Sequence, residues 1–215
     1  MNTPLYRGAA AALVELLNLS EISRTEGAEG SNAHVPAIWD ENYVPLCNAD
    51  APVTSFPWTL HRIPLYSDAI ELVCVMMERL DMEEPEVVTT VVILESFMNK
   101  HNGTLQPYSA RPMLLACCIL ACKLTSDSVT TPECYEAVKD CFTGLTTLHV
   151  ARIEEQMLVC LDWGFSNDPE VYRACAHNLK IMGRAAREPP RLTYKAEGGH
   201  EDLECHEDLE SEPNA

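Results

Sequence analysis

Apolar residues recur every three or four positions through most of residues 65–183. This spacing places them on one face of an α-helix, as expected for helices that pack against a shared core. No segment of the sequence alternates convincingly between apolar and polar residues, and no Asn-Gly or Asp-Gly turn lies between apolar runs. The pattern therefore predicts an all-α fold.

Six helices are predicted in this region from their start signals. The first begins with a capping box formed by Asp68 and Glu71, and the second has Pro85 in its first turn. The others begin at Ser109, Thr131, Thr146 and Asp168, and Gly183 is predicted to end the last of them. The predicted inward residues of five of these helices are, in chain order, Ile70, Val73, Met77 and Leu80; Val88, Val91, Leu94 and Met98; Tyr135, Val138 and Phe142; Val150, Ile153, Met157 and Leu161; and Val171, Cys175, Leu179 and Met182.

The third helix, Ser109 to Leu124, is apolar on every side. Between Met113 and Lys123 the lysine is the one charged residue. A helix without a polar face is expected to be surrounded by other helices. We therefore predict a five-helix unit around this central helix, followed by the sixth helix near residues 168–182.

The flanking segments have different patterns. Residues 1–64 contain one amphipathic helix, Leu5 to Leu19, and then a stretch in which Trp39, Tyr43 and Trp58 are expected to anchor the chain on the core. Residues 184–215 form a tail, and its part from residue 197 onward is acidic with no Lys or Arg. A disordered tail is predicted, with weak metal chelation or mimicry of an acidic substrate as alternatives. The predicted division is thus 1–64, 65–183 and 184–215.

The formal net charge of −18 decides between classes of partner. This charge would repel a phosphate backbone or an anionic lipid, so neither nucleic acid nor a membrane is an expected partner. A protein with a basic surface fits better. No cleavable signal peptide is visible, and the longest uncharged apolar run is shorter than the roughly 20 residues that span a bilayer. We expect one intracellular domain, in the cytoplasm or nucleus.

Most of the ten cysteines lie inside apolar helical patterns, without paired C-x-x-C spacing. They are predicted to be reduced thiols that act as small buried hydrophobes. Cys118 and Cys122 lie one helical turn apart and could bind a metal together with a histidine, but no second ligand pair accompanies them. The sequence also lacks a G-x-S-x-G motif, a phosphate-binding glycine loop and an H-E-x-x-H motif. We expect no cofactor, no metal and no catalysis by this chain.

Three segments of the chain resemble the later part of a cyclin box. They are "LLACCILACKLTSDSVTTPECYEAV", "LTTLHVARIEEQMLVCLDWGF" and "DPEVYRACAHNL". In that family a helix ending in Ala-x-Lys precedes an acidic turn, a helix with Tyr or Trp, and a helix with Glu seven residues before a Leu-x-Trp/Phe pair; all these spacings are present. The resemblance covers residues 60–183. It is nearest to the single-box phosphate-pathway cyclins of fungi and the P/U-type cyclins of plants and protists.

The resemblance implies a single cyclin box whose partner is a cyclin-dependent serine/threonine kinase. In cyclins a lysine and a later glutamate lie at the centre of the surface that binds the kinase αC helix, and they match Lys123 and Glu154. Leu124, Asp127 and Met157 are expected to contact the kinase beside them. Apart from the family, a lysine at a helix C-terminus lies in a favourable dipole potential, and a glutamate across from it can hold the ammonium against carbonyls of a partner. The implied function is activation of the kinase by repositioning that helix.

The chain also departs from the family pattern. Ser96 stands where an arginine is usual, Arg111-Pro112 replaces His-Arg, and Ser126-Asp127 replaces a pair of aspartates. No Met-Arg-Ala-Ile-Leu string is present, so the substrate-docking patch of the cell-cycle cyclins is not expected. Alternatives are that Lys123 is only a solvated helix end, that the chain is a helical interaction scaffold without cyclin activity, or that it is a cyclin-fold protein like transcription factor IIB, which would carry two boxes and basic surfaces.

Overall fold

The computed structural model describes residues 4–26, 39, 63, 65–101, 105–142, 144–164 and 168–186. These residues contain seven helices and no β-strand, so the all-α prediction is confirmed. The helices are α1 (Pro4–Glu26), α2 (Tyr66–Arg79), α3 (Glu84–Lys100), α4 (Pro107–Thr125), α5 (Thr131–Val138), α6 (Thr147–Cys160) and α7 (Pro169–Ala185). Tyr43, Trp58 and the predicted tail beyond residue 186 lie outside the described residues.

Helix α4 is the central helix that the sequence predicts. Fifteen of its 19 residues are buried, on all sides of the helix, and it packs against α3 and α6. Its start is fixed by Pro107 in the first turn and by Ser109, whose Oγ accepts a hydrogen bond from the backbone N–H of Gln106. The helix is long and apolar enough to cross a membrane, but 78% of the apolar window is buried inside the protein. Burial by neighbouring helices therefore accounts for its apolar composition.

Helices α3 and α6 show the inward faces predicted from their periodicity. All eight predicted inward residues, Val88, Val91, Leu94, Met98, Val150, Ile153, Met157 and Leu161, are buried. The two helices are also joined at their C-terminal ends. The Lys100 ammonium donates to the carbonyl oxygen of Leu161, and His101 Nε2 lies 2.9 Å from the carbonyl oxygen of Cys160. The end of α3 thus satisfies carbonyls that α6 leaves without an intrahelical donor.

The predicted starts of α2 and α5 had different outcomes. Helix α2 begins at Tyr66, so the expected capping box between Asp68 and Glu71 is wrong; Asp68 is buried within the first turn, where it accepts a hydrogen bond from Ser67. Helix α5 begins where predicted, with Glu133 Oε2 2.8 Å from the backbone nitrogen of Thr130. It has only eight residues and ends before Phe142, which is nevertheless fully buried.

Helices α1 and α7 pack against each other at two glycines. A Cβ atom on Gly8 would lie 2.0 Å from the carbonyl oxygen of Leu179, and one on Gly183 would lie 1.6 Å from that of Pro4. Gly183 was predicted to end the last helix, but α7 continues to Ala185, so this glycine is needed for backbone contact between helices. Val171 was predicted to face inward and is 40% exposed, whereas Cys175 and Leu179 are buried as predicted.

Trp39 is the described member of the predicted anchoring aromatics, and it is completely buried. Its ring meets that of Phe97 edge to face, with ring centroids 5.4 Å apart. Phe97 in turn stacks on His101, 4.7 Å away. Such aromatic contacts add to the free energy gained by burying the rings, so the Trp39 side chain is held against α3. The prediction for this residue is confirmed.

The eight described cysteines are free thiols, and seven of them are buried; Cys160 is half-buried. Desolvation by burial raises the pKa of Cys122 to about 12 and that of Cys134 to about 11. Among the described residues no group of three His, Cys, Asp or Glu side chains could hold a metal ion, and this includes the surroundings of Cys118 and Cys122. Seven of the eight described cysteines are therefore part of the apolar core, and Cys160 packs against it.

The burial of these cysteines predicts that their thiols react slowly with alkylating reagents. The thiolate is the form that reacts with iodoacetamide, and at pH 8 a thiol with a pKa of about 12 is ionised in only about one molecule in 10,000. We expect Cys117, Cys118 and Cys122 to remain unmodified in the folded protein and to react fully in urea, as measured by mass spectrometry of tryptic peptides. Rapid labelling of Cys117 without denaturant would contradict the burial of α4.

Candidate functional site

Lys123 lies in the last turn of α4, where the apolar helix reaches the surface. Its Nζ is 2.5 Å from Oε1 of Glu154 and 2.7 Å from Oγ1 of Thr131. The lysine side chain is 29% exposed, so the ammonium is partly withdrawn from water but still reaches the surface. The position at a helix C-terminus favours the positive charge, since the helix dipole is negative there.

Glu154 lies in the middle of α6, and its side chain is only 12% exposed. Both carboxylate oxygens are used: Oε1 binds Lys123, and Oε2 accepts a hydrogen bond of 2.9 Å from Thr131 Oγ1. Lys123, Thr131 and Glu154 therefore form a closed set of three contacts, here called the Lys123 cluster. Because a carboxylate this far from water is costly without a cation, the lysine stabilises it where it lies.

Three helices bring the Lys123 cluster together. The buried faces of α4 and α6 pack against each other, which brings the end of α4 beside the middle of α6. Thr131 is the first residue of α5, and the capping contacts between Thr130 and Glu133 fix that end of the helix. Sequence positions 123, 131 and 154 thus meet at one point of the surface.

The other residues predicted to contact a kinase lie in different environments. Leu124 is 51% exposed beside Lys123, and Asp127 is exposed in the turn after α4. Met157 is completely buried in the core. Its prediction as a contact residue is therefore corrected: the inward face of α6 takes the side chain, and Met157 supports the surface from beneath.

Three exposed apolar side chains, on α6 and just after it, were missed by the sequence interpretation. Leu148 and Val159 on α6 are 59% and 48% exposed, and Trp163, just past the end of the helix, is 68% exposed. At 100° per residue, Leu148 and Val159 are about 20° apart around the helix axis, so they share its outer face. The periodicity of α6 was interpreted only for its inward residues. The signal that could have indicated these residues was the presence of large apolar side chains on the face of α6 opposite its inward residues.

Trp163 is held outward by an unusual turn. Asp162 and Trp163 both have left-handed backbone conformations, with φ of 53° and 57°, and the backbone N–H of Trp163 donates to the carbonyl oxygen of Leu158 over 2.8 Å. Lys100 reaches this turn from α3 and lies 3.3 Å from Asp162 Oδ2. Non-glycine residues in this conformation carry strain and persist where the surrounding structure fixes them. A large apolar ring is therefore presented at the end of α6.

One comparison with known proteins found a similarity to a protein family. Residues 65–166 match the family described as "Cyclin, N-terminal domain". The matched range runs from the residue before α2 to just past the end of α6, and it includes the three members of the Lys123 cluster together with Trp163. No curated protein and no solved structure matches the chain significantly.

Proposed function

We propose that this chain, whose residues 65–166 match the cyclin N-terminal domain, is a cyclin and the regulatory subunit of a cyclin-dependent serine/threonine kinase. Members of this family are in general regulatory proteins and not enzymes. The observation that carries the proposal is the Lys123 cluster, a half-buried ammonium held in place by Glu154 and Thr131. The finer resemblance to phosphate-pathway and P/U-type cyclins stays a prediction.

The cluster has the properties of an interface anchor. Its ammonium can donate to a carbonyl of a partner, and this charged hydrogen bond gains strength once water is excluded. Leu124, the residue after Lys123, supplies an exposed apolar side chain beside the cluster. A polar contact partly withdrawn from water next to an exposed apolar side chain is typical of protein–protein interfaces.

Binding at this surface would act on the kinase by shifting a conformational equilibrium. If Lys123 and Leu124 bind the kinase αC helix in its active position better than in its inactive position, the complex favours the active position. A lysine and a glutamate of the kinase are then brought together with the metal-binding groups of its active site. Catalysis remains with the kinase, and this chain contributes only differential binding energy.

The acidic charge of the chain supports a partner with a basic surface. A formal charge of −18 attracts such a surface over a distance of about one Debye length and raises the association rate at low salt. The apolar contacts and the half-buried lysine would then determine how long the complex lasts. The salt dependence of binding should therefore lie mainly in the association rate.

The proposal is tested with purified components. Each cyclin-dependent kinase catalytic subunit of the source organism is prepared alone, titrated with this chain, and assayed for phosphate transfer from ATP to a serine peptide. We expect at least one subunit to form a one-to-one complex and to gain activity well above that of the subunit alone. Complex formation without activation would support a scaffold instead, and the absence of binding to every subunit would refute the proposal.

A further inference from the structure

We infer that Thr131 is a positioning residue, whose hydroxyl holds the Lys123 ammonium in the orientation in which it meets a partner. The inference rests on the proposed function and adds a third residue to the lysine and glutamate that the sequence indicated. It is based on two hydrogen bonds that one oxygen atom of Thr131 forms. Thr131 Oγ1 lies 2.7 Å from Lys123 Nζ and 2.9 Å from Glu154 Oε2.

The direction of each hydrogen bond in the cluster follows from its chemistry. An ammonium can only donate and a carboxylate can only accept, so the Thr131 hydroxyl accepts from Lys123 and donates its one proton to Glu154. This fixes the rotation of the hydroxyl, which is otherwise free. It also links the two charged groups through a second route besides their direct contact of 2.5 Å.

One N–H group of the Lys123 ammonium is left to bind a partner. The ammonium carries three N–H groups, of which one points to Glu154 and one to Thr131. With two donors fixed, the direction of the third is fixed as well. Without the hydroxyl, the ammonium would have one anchoring contact and could rotate about it. Binding would then include the entropy cost of ordering a lysine side chain, which preorganisation removes.

The Thr131 hydroxyl is not needed to cap α5. The N-terminus of this helix is capped by Thr130 together with Glu133, whose Oε2 lies 2.8 Å from both the backbone nitrogen and the Oγ1 of Thr130. Thr131 is the next residue, and its side chain forms hydrogen bonds with Lys123 and Glu154. Removing the hydroxyl should therefore affect the cluster and leave the helix start intact.

The test compares Thr131→Val, which keeps the shape and removes the hydroxyl, with Thr131→Ser, which keeps the hydroxyl. Thr147→Val is the matched control for folding, because Thr147 is also the first residue of its helix and is exposed. Each variant is titrated calorimetrically against the kinase subunit that binds the wild-type chain. We expect Thr131→Val to bind about tenfold more weakly, as for loss of a hydrogen bond to a charged group. We expect Thr131→Ser to bind within about twofold of wild type.

The outcomes separate this inference from the proposed function. In a Lys123→Ala background, Thr131→Val should have no further effect on affinity, which a purely structural role would not produce. Normal affinity of Thr131→Val together with weak binding of Lys123→Ala would overturn the role of Thr131 and leave the proposed function standing. Normal affinity of both variants would overturn both. If Thr131→Val is partly unfolded, the stoichiometry of the titration gives the competent fraction, and the affinity of that fraction decides.

Discussion

Gly183→Ala should lower the thermal stability of this protein, although glycine to alanine usually stabilises a helix. In an exposed helix interior the change gains about 1 kcal/mol. Here the new methyl group would lie 1.6 Å from the carbonyl oxygen of Pro4 and 2.9 Å from the backbone nitrogen of Gly8. Both atoms belong to the backbone of α1, so no side-chain rotation can relieve the contact. Helix α1 would have to move away from α7.

The size of the effect follows from what α1 covers. Its buried residues include Tyr6, Leu13 and Leu17, and Tyr6 donates a hydrogen bond of 2.6 Å to the carbonyl oxygen of Met82. Overpacking a closed contact costs about 1–3 kcal/mol, and occasionally more when the backbone must shift. For a chain of this length we expect the melting temperature to fall by about 2–12 °C. Differential scanning calorimetry measures the melting temperature of the variant and of the wild-type chain.

A control on the same helix separates packing from helix propensity. Ala174 is exposed on α7, so Ala174→Gly should cost about 1 kcal/mol through propensity alone. Gly183→Ala should destabilise more than this, in spite of its favourable propensity. Gly8→Ala, which meets the carbonyl oxygen of Leu179 at 2.0 Å, should behave in the same way. A rise in melting temperature for Gly183→Ala would mean that α1 does not pack on α7 as described.

Gly183 also shows where sequence interpretation reaches its limit. Periodicity identified the inward faces of α3 and α6 because a buried helix face repeats every 3.6 residues whatever it packs against. The same pattern cannot distinguish a glycine that ends a helix from one that admits a neighbouring backbone. That distinction depends on α1, which is more than 150 residues away in sequence. The misplaced capping box at Asp68 has a similar cause, since burial of this residue overrode its local preference.

The candidate site was predictable in part for the same reason. Lys123 was conspicuous because it is the one charge at the end of an apolar run, and the family resemblance supplied Glu154 as its partner. Thr131 could not be assigned a role from sequence, since a threonine before a proline reads as a helix start and its contacts are tertiary. Met157 was predicted both to face inward and to contact the kinase. The packing of α6 satisfies only the first of these.

The exposed apolar residues of α6 lie on a different face of the helix from the Lys123 cluster. At 100° per residue, Glu154 is about 120° from Leu148 and about 140° from Val159 around the helix axis. Single exposed apolar residues are common on protein surfaces, so these two do not extend the site. Trp163 adds a large ring in a strained turn at the end of that helix. The interface that we propose is centred on the Lys123 cluster, where residues of α4, α5 and α6 meet.

Lys123→Ala should reduce affinity for the kinase by about tens to thousands of fold, which corresponds to about 2–5 kcal/mol for loss of a desolvated charge contact. Alanine favours a helix, so α4 should persist. The fold should lose some stability, because the Glu154 carboxylate is only 12% exposed and would keep its hydrogen bond from Thr131 but lose its cation. Leaving such a group without its cation costs about 1–3 kcal/mol. Calorimetric titration gives the affinity, and calorimetric unfolding gives the stability.

Two substitutions of Glu154 should weaken its contact with Lys123 to different degrees. Glu154→Ala removes both acceptors and should weaken binding as much as Lys123→Ala, because the ammonium then keeps only its contact with Thr131. Glu154→Gln keeps an oxygen that can accept from the lysine but removes the negative charge, so its effect should lie between wild type and Glu154→Ala. Lys180→Ala is the matched control. It breaks another lysine–glutamate pair, with Glu84 at 2.7 Å, between α7 and α3.

The double variant tests whether the lysine and the glutamate act as one unit. If Glu154 contributes by holding Lys123, then once either side chain is absent the other has little left to contribute. Lys123→Ala with Glu154→Ala should therefore bind about as weakly as either single variant, far from the sum of their effects. Lys180→Ala should bind like wild type. Wild-type affinity of Lys123→Ala would show that this lysine is only a solvated helix end, and the proposed interface would then be wrong even though the helical fold stands.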